Sequence, residues 1–170
     1  MIGRFVGTVR RNHALEHATV SLLIAKLGPD LRLVGRATGD GFYIYGDIPT
    51  DALEECAHEG LRRLKRGEAF WAVTPLCGTN LATAGILAGI STFATMGGGG
   101  DNKRDRLPNV MMAGIIAVIA AQPLGRIVQR HVTTSPDLSE TEIVGLDVRR
   151  NGAVHKVRTR RAAAPVAANA

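Results

Sequence analysis

Aromatic residues are scarce in this 170-residue chain: four Phe, two Tyr and one Trp, 4% of the sequence. So few rings offer no row of base-stacking platforms, and no nucleic-acid recognition motif is present. The net charge of +6 is therefore expected to serve a partner other than nucleic acid. Two cysteines are too few for a disulfide scaffold. With 45% hydrophobic and 21% charged residues the chain is not disordered, and its length suits one domain with a real core. The most informative absence is local. No Asp, Glu, Lys or Arg occurs in residues 69–100, and none in residues 107–125.

Eighteen to twenty helical residues at about 1.5 Å each cover a hydrocarbon core of roughly 30 Å. Residues 81–96 and 110–121 are the apolar centres of the two runs, the second extendable past Pro123 if that residue is tolerated as a kink. Gly85 and Gly89 form a G-x-x-x-G pair, and Ala113, Ala117 and Ala121 repeat a small residue every fourth position. Small residues let helix backbones approach closely in lipid, where apolar surface alone gives little association. The two runs thus predict a transmembrane hairpin over residues 77–128, with a polar glycine-rich turn over residues 97–106. The Gly85/Gly89 and Ala113/Ala117 faces are its candidate homo-oligomer contacts. Lys and Arg number 10 before the first run, 3 in the turn and 8 after the second. That distribution predicts both termini on the cytoplasmic side of an inner membrane, with basic residues against anionic headgroups. Residues 1–11 lack an apolar stretch long enough for a signal peptide.

The polar segments predict a small cytoplasmic α+β unit, residues 1–76, completed by residues 129–161. Residues 12–27 read as a helix capped by Asn12 and ended by Gly28 and Pro29, apolar nearly all round and hence buried. Residues 31–36 and 41–48 read as a β-hairpin, with Phe42 and Ile44 alternating against Tyr43 and Tyr45. A second helix follows to Arg66, with Leu53, Cys56, Ala57, Gly60, Leu61 and Leu64 as its apolar stripe. Residues 70–74 read as a third strand. Residues 142–149 and 153–160 flank Asn151-Gly152, a strong hairpin signal that completes the sheet. Residues 162–170 are low in complexity and read as a disordered tail.

One motif carries chemistry. In His13-Ala14-Leu15-Glu16-His17 the two histidines stand at i and i+4, about 5 to 6 Å apart at Cβ on one helix face. Both imidazoles can reach one cation, with Glu16 to the side. This H-x-x-E-H order is the inverse of the H-E-x-x-H zinc-hydrolase motif. Two neutral imidazoles hold Zn²⁺, an open position carries a water whose pKa falls toward 7, and a neighbouring carboxylate takes its proton. The expectation is a zinc-dependent, peptidase-like hydrolase with His13 and His17 as ligands and Glu16 as base. Glu54, His58 and Cys77 are the candidates for the third ligand. The alternative is a non-catalytic membrane-anchored interaction or assembly protein, in which the histidines are satisfied core residues.

Over residues 12–66 the run His-x-Leu-Glu-His, a hairpin and a helix resembles the inverzincin metallopeptidases. That resemblance implies metal ligation by His13 and His17 and the base role for Glu16. The family's downstream third-ligand glutamate has no counterpart here, since no acid occurs between Glu68 and Asp101. More of the chain resembles a family of small, uncharacterised bacterial two-span membrane proteins. The blocks that carry this are Asn12-His13-Ala14-Leu15-Glu16-His17-Ala18-Thr19, Gly41-Phe42-Tyr43-Ile44-Tyr45-Gly46-Asp47, Cys77-Gly78-Thr79-Asn80 and Gln122-Pro123-Leu124-Gly125. The second resemblance implies two spans and no established activity.

Overall fold

The computed structural model describes residues 2–97, 103–150 and 152–162. Residues 98–102 of the expected 97–106 turn, Asn151 of the second hairpin and the tail from residue 163 lie outside the described residues. The chain forms two compact units: Met1–Thr74 with Thr133–Ala170, and Pro75–Val132.

The first unit is α+β. Helix α1 is Ile2–Leu27, followed by β1 (Val34–Thr38), β2 (Gly41–Tyr45) and α2 (Thr50–Lys65); β3 (Thr141–Arg149) and β4 (Val154–Arg161) come after the second unit. The four strands make one antiparallel sheet in the order β1-β2-β4-β3. The two sequence-local hairpins are therefore joined edge to edge by β2 and β4, with Phe42 opposite Val157 and Ile44 opposite His155. Alternation on β2 sets the faces: Phe42 and Ile44 are fully buried, while Tyr43 and Tyr45 point to the other side. Helices α1 and α2 pack on the Phe42 face, where Leu15, Leu23, Leu53, Leu61 and Val157 complete the core. The apolar stripe of α2 is buried as its spacing predicts, and Gly60 allows close approach to Ala18 of α1.

Two local expectations need correction. Helix α1 begins ten residues before Asn12, which is no cap but a buried tie. Its amide donates to the carbonyl of Thr38 at 2.8 Å, and its Oδ1 accepts from the hydroxyl of Thr159 at 2.7 Å. Satisfying these groups from β1 and β4 removes the desolvation cost that would otherwise end the helix there. The run read as a third strand is instead a 3₁₀ turn, Ala69–Ala72, fixed by the Trp71 indole donating to Glu68 at 3.1 Å and by Arg63 over the Trp71 ring.

The second unit pairs α3 (Gly78–Gly97) with α4 (Leu107–Val128), the latter extended by a π-helical turn, Gln129–Thr133. Among the described residues one helix, Leu107–Thr133, is long and apolar enough to cross a membrane. The expectation of two such helices is corrected for α3. That helix interleaves Asn80, Thr83, Ser91, Thr92 and Thr95 with its apolar residues, and these lower its hydropathy. Pro123 sits within α4 without ending it. Ala117, Ala121 and Gly125 are buried, so the small-residue face of α4 is used within the chain. Asn80 donates to the Pro75 carbonyl at 2.9 Å and accepts from Gln129 at 2.8 Å. A Cβ at Gly125 would overlap the Asn80 side chain. Gly85 and Gly89, by contrast, face open space.

Candidate metal centre

The histidine pair lies on the buried part of α1. The ring centroids of His13 and His17 are 4.3 Å apart at 62°, as helical spacing requires. Each ring is oriented by a backbone carbonyl. Nδ1 of His13 lies 3.0 Å from the Thr133 oxygen, and Nδ1 of His17 lies 2.8 Å from the Ala72 oxygen. A carbonyl only accepts, so both neutral rings carry their proton on Nδ1 and present a lone pair at Nε2. This is the arrangement by which metal-binding histidines are usually held from behind. Nε2 of His17 is buried and has no hydrogen-bond partner among the described residues. An orphaned imidazole nitrogen costs roughly 1–3 kcal/mol unless something coordinates it.

Glu16 stands beside the pair, its Oε2 3.7 Å from Nε2 of His13. Its carboxylate packs on the backbone of Gly35 in β1, where any Cβ would overlap it. Burial pushes the Glu16 carboxyl up to about 7, opposed by the charge of His13. Folding therefore raises its proton affinity. The favourable contribution of the protonated form is fully present below pH 4.5 and is lost as pH rises through about 7. Removing the ionisable group with Glu16→Gln is expected to stabilise the metal-free protein at pH 8 by on the order of 3 kcal/mol. That gain should fade toward pH 5, as read from urea midpoints with chelator present. A gain that does not change with pH would contradict the burial argument.

Of the three candidate third ligands, Glu54 and His58 line a separate cleft of about 240 Å³ between α2 and β3, with Gly145 and Leu146. They belong to no group of metal-type donors among the described residues. Cys77 stands just before α3, its thiol buried and accepting the Thr79 backbone N–H at 3.3 Å. Cys77 belongs to the second unit, whereas His13 and His17 belong to the first. The carbonyls of Ala72 and Thr133 and the Gly35 cradle could not be read from the sequence, since a backbone carbonyl leaves no residue-type signal.

The comparisons with known proteins agree with one another. The model of a domain of unknown function, DUF6391, matches residues 8–146. The chain is similar to an uncharacterised protein of Picosynechococcus sp., 32% identical over 147 residues, covering 77% of this chain and 68% of the relative. No solved structure matches.

Proposed function

This chain belongs to the DUF6391 family, a domain of unknown function, and on that premise we propose an activity from the site itself: a membrane-associated, metal-dependent hydrolase. His13 and His17 hold the ion in this reading, and zinc is a metal that paired imidazoles favour when a position stays open. The observation that carries it is the buried Nε2 of His17, without a hydrogen-bond partner among the described residues, on a ring already oriented by the Ala72 carbonyl. When bound, the ion supplies an acidified water and polarises a substrate carbonyl. The protein's own part is carried by Glu16, a buried carboxyl 3.7 Å from His13 that can accept a proton and hand it on. The Thr133 and Ala72 carbonyls orient the His13 and His17 rings by accepting from Nδ1, which turns Nε2 toward the ion.

The membrane reading gains support from sheet topology. β2 precedes α3 and α4, β4 follows them, and the two strands pair in one sheet. Both must therefore lie on one side of any bilayer, which requires an even number of crossings. In this proposal α4 crosses and α3 crosses back as its less apolar companion. The 10 and 8 basic residues on the flanks, against 3 in the turn, support a cytoplasmic sheet in this reading. A peptide or other carbonyl substrate is the expected class.

Elemental analysis of the full chain, purified in detergent under reducing conditions, should give about one metal per protein. Chelator should abolish hydrolysis of a fluorogenic peptide library. Glu16→Gln should retain the metal and lose at least about 10²-fold in rate, the usual scale for a general base. Protein that stays metal-free when offered zinc would end the proposal. The second reading, a non-catalytic assembly protein, is favoured by the open Gly85/Gly89 face. It predicts that Glu16→Gln is silent in cells whereas Gly89→Leu is not.

A further inference from the structure

The face of the sheet opposite α1 and α2 carries a second feature, independent of the metal centre. Register places its outward side chains in rows across the strands. One row runs Val34, Tyr45, Val154, Arg149; the next runs Arg36, Tyr43, Lys156, Asp147. Between Arg36 on one flank and Arg149 and Arg150 on the other lies a cleft of about 490 Å³, with Tyr43, Tyr45 and Val154 in its lining. That volume is in the range of small-molecule sites.

Charge in this cleft is unbalanced. Arg158 pairs with Asp147 at 3.1 Å and Lys156 pairs with Asp40. Arg36, Arg149 and Arg150 form no ion pair among the described residues. Three exposed guanidiniums around one depression repel one another in the absence of an anion. Each is a planar fork suited to phosphate oxygens. The floor is aromatic. Tyr43 and Tyr45 stack with centroids 6.0 Å apart at 22°. Lys156 covers one face of Tyr43 at 5.0 Å, so the open aromatic surface is Tyr45, 37% exposed, with Val154 beside it in the register. An apolar, ring-accepting floor flanked by uncompensated guanidiniums fits a small ligand that is anionic at one end and flat at the other.

We propose that this cleft binds a nucleoside phosphate, with the base on Tyr45 and Val154 and the phosphate held by Arg149 and Arg150, with Arg36 on the opposite flank. A bare anion would use the arginines and leave the tyrosine floor empty. A phospholipid headgroup offers phosphate without a ring. A long nucleic acid would need further open rings along the sheet, and the second tyrosine is already covered by Lys156.

The test is calorimetric titration of the full chain in detergent, in phosphate-free buffer, with AMP, adenosine, inorganic phosphate, glycerol 3-phosphate and a short single-stranded oligonucleotide. AMP should bind at least tenfold more tightly than adenosine, phosphate or glycerol 3-phosphate, and the oligonucleotide should bind no better per site than AMP. Arg36→Ala with Arg149→Ala should weaken AMP at least tenfold. Tyr45→Ala should weaken AMP while leaving phosphate unchanged. All three residues are exposed, so the variants should fold, and the wild-type ligand series decides the matter without them. Equal binding of phosphate and AMP would reduce the cleft to a charged patch and overturn the proposal. Equal binding of glycerol 3-phosphate would make it a headgroup site, and oligonucleotide binding that AMP cannot displace would make it a nucleic-acid surface. Either result overturns it, as does the absence of AMP binding.

Discussion

Replacing His17 by alanine is expected to remove bound metal and to lower affinity for added zinc at least 100-fold. The expectation follows from what each ring nitrogen does. Nδ1 of His17 is committed to the Ala72 carbonyl at 2.8 Å, and Nε2 is buried with no hydrogen-bond partner among the described residues. No hydrogen bond among the described residues compensates that nitrogen, so a cation is the partner that would make its burial worthwhile. A hundredfold loss corresponds to about 2.7 kcal/mol, the scale of one good ligand bond net of dehydration. His13→Ala should fall in the same range, whereas Glu54→Ala and His58→Ala, on the separate cleft, should leave metal content unchanged. Elemental analysis of dialysed protein reads all four variants at once. Wild-type metal content in His17→Ala would remove the site, and with it the hydrolase reading.

The second large effect is on stability. Phe42→Ala should destabilise the protein by roughly 3–5 kcal/mol, the usual cost of emptying a fully buried aromatic site. Phe42 is fully buried on the inner face of β2, one of the two central strands, and faces Ala37 on one side and Val157 on the other. Its cavity would open between the sheet and both helices, where neighbours are anchored from three elements and cannot collapse inward. Tyr43→Ala, one residue along and on the outer face, should cost far less. Chemical unfolding followed by tryptophan fluorescence of Trp71 measures both. Similar losses for the two would mean that the facing of β2 is wrong.

Much of the fold was legible because it rests on local pattern. The α2 stripe and the two hairpins needed only periodicity and turn residues, and Gly28 ends α1 with the positive φ of 106° that glycine tolerates. What sequence reasoning missed depends on distant partners. Asn12 has the residue type of a cap, and only Thr38 and Thr159, the latter 147 positions away, turn it into a mid-helix tie. Residues 69–72 are apolar enough for a strand, yet the turn is held by Glu68 and Arg63. For the candidate site, the i, i+4 spacing was enough to foresee adjacent histidines and a neighbouring acid. The carbonyls that fix their tautomers come from Ala72 and Thr133 and are invisible to any reading by residue type. The rise of the Glu16 carboxyl to about 7 likewise comes from burial, which the motif alone does not report.

The pairing of β2 with β4 has a consequence for biosynthesis. About a hundred residues separate the two strands, so the ribosome releases β1, β2 and three further helices before the partner edge exists. Throughout that interval the nascent chain exposes the open main-chain groups of β2 with Phe42 and Ile44 unshielded on one side. Such an edge is a template for wrong partners. Chains truncated ahead of residue 141 should accordingly be captured by chaperones or degraded, and arrival of the last hairpin would be the event that commits the protein to its native state.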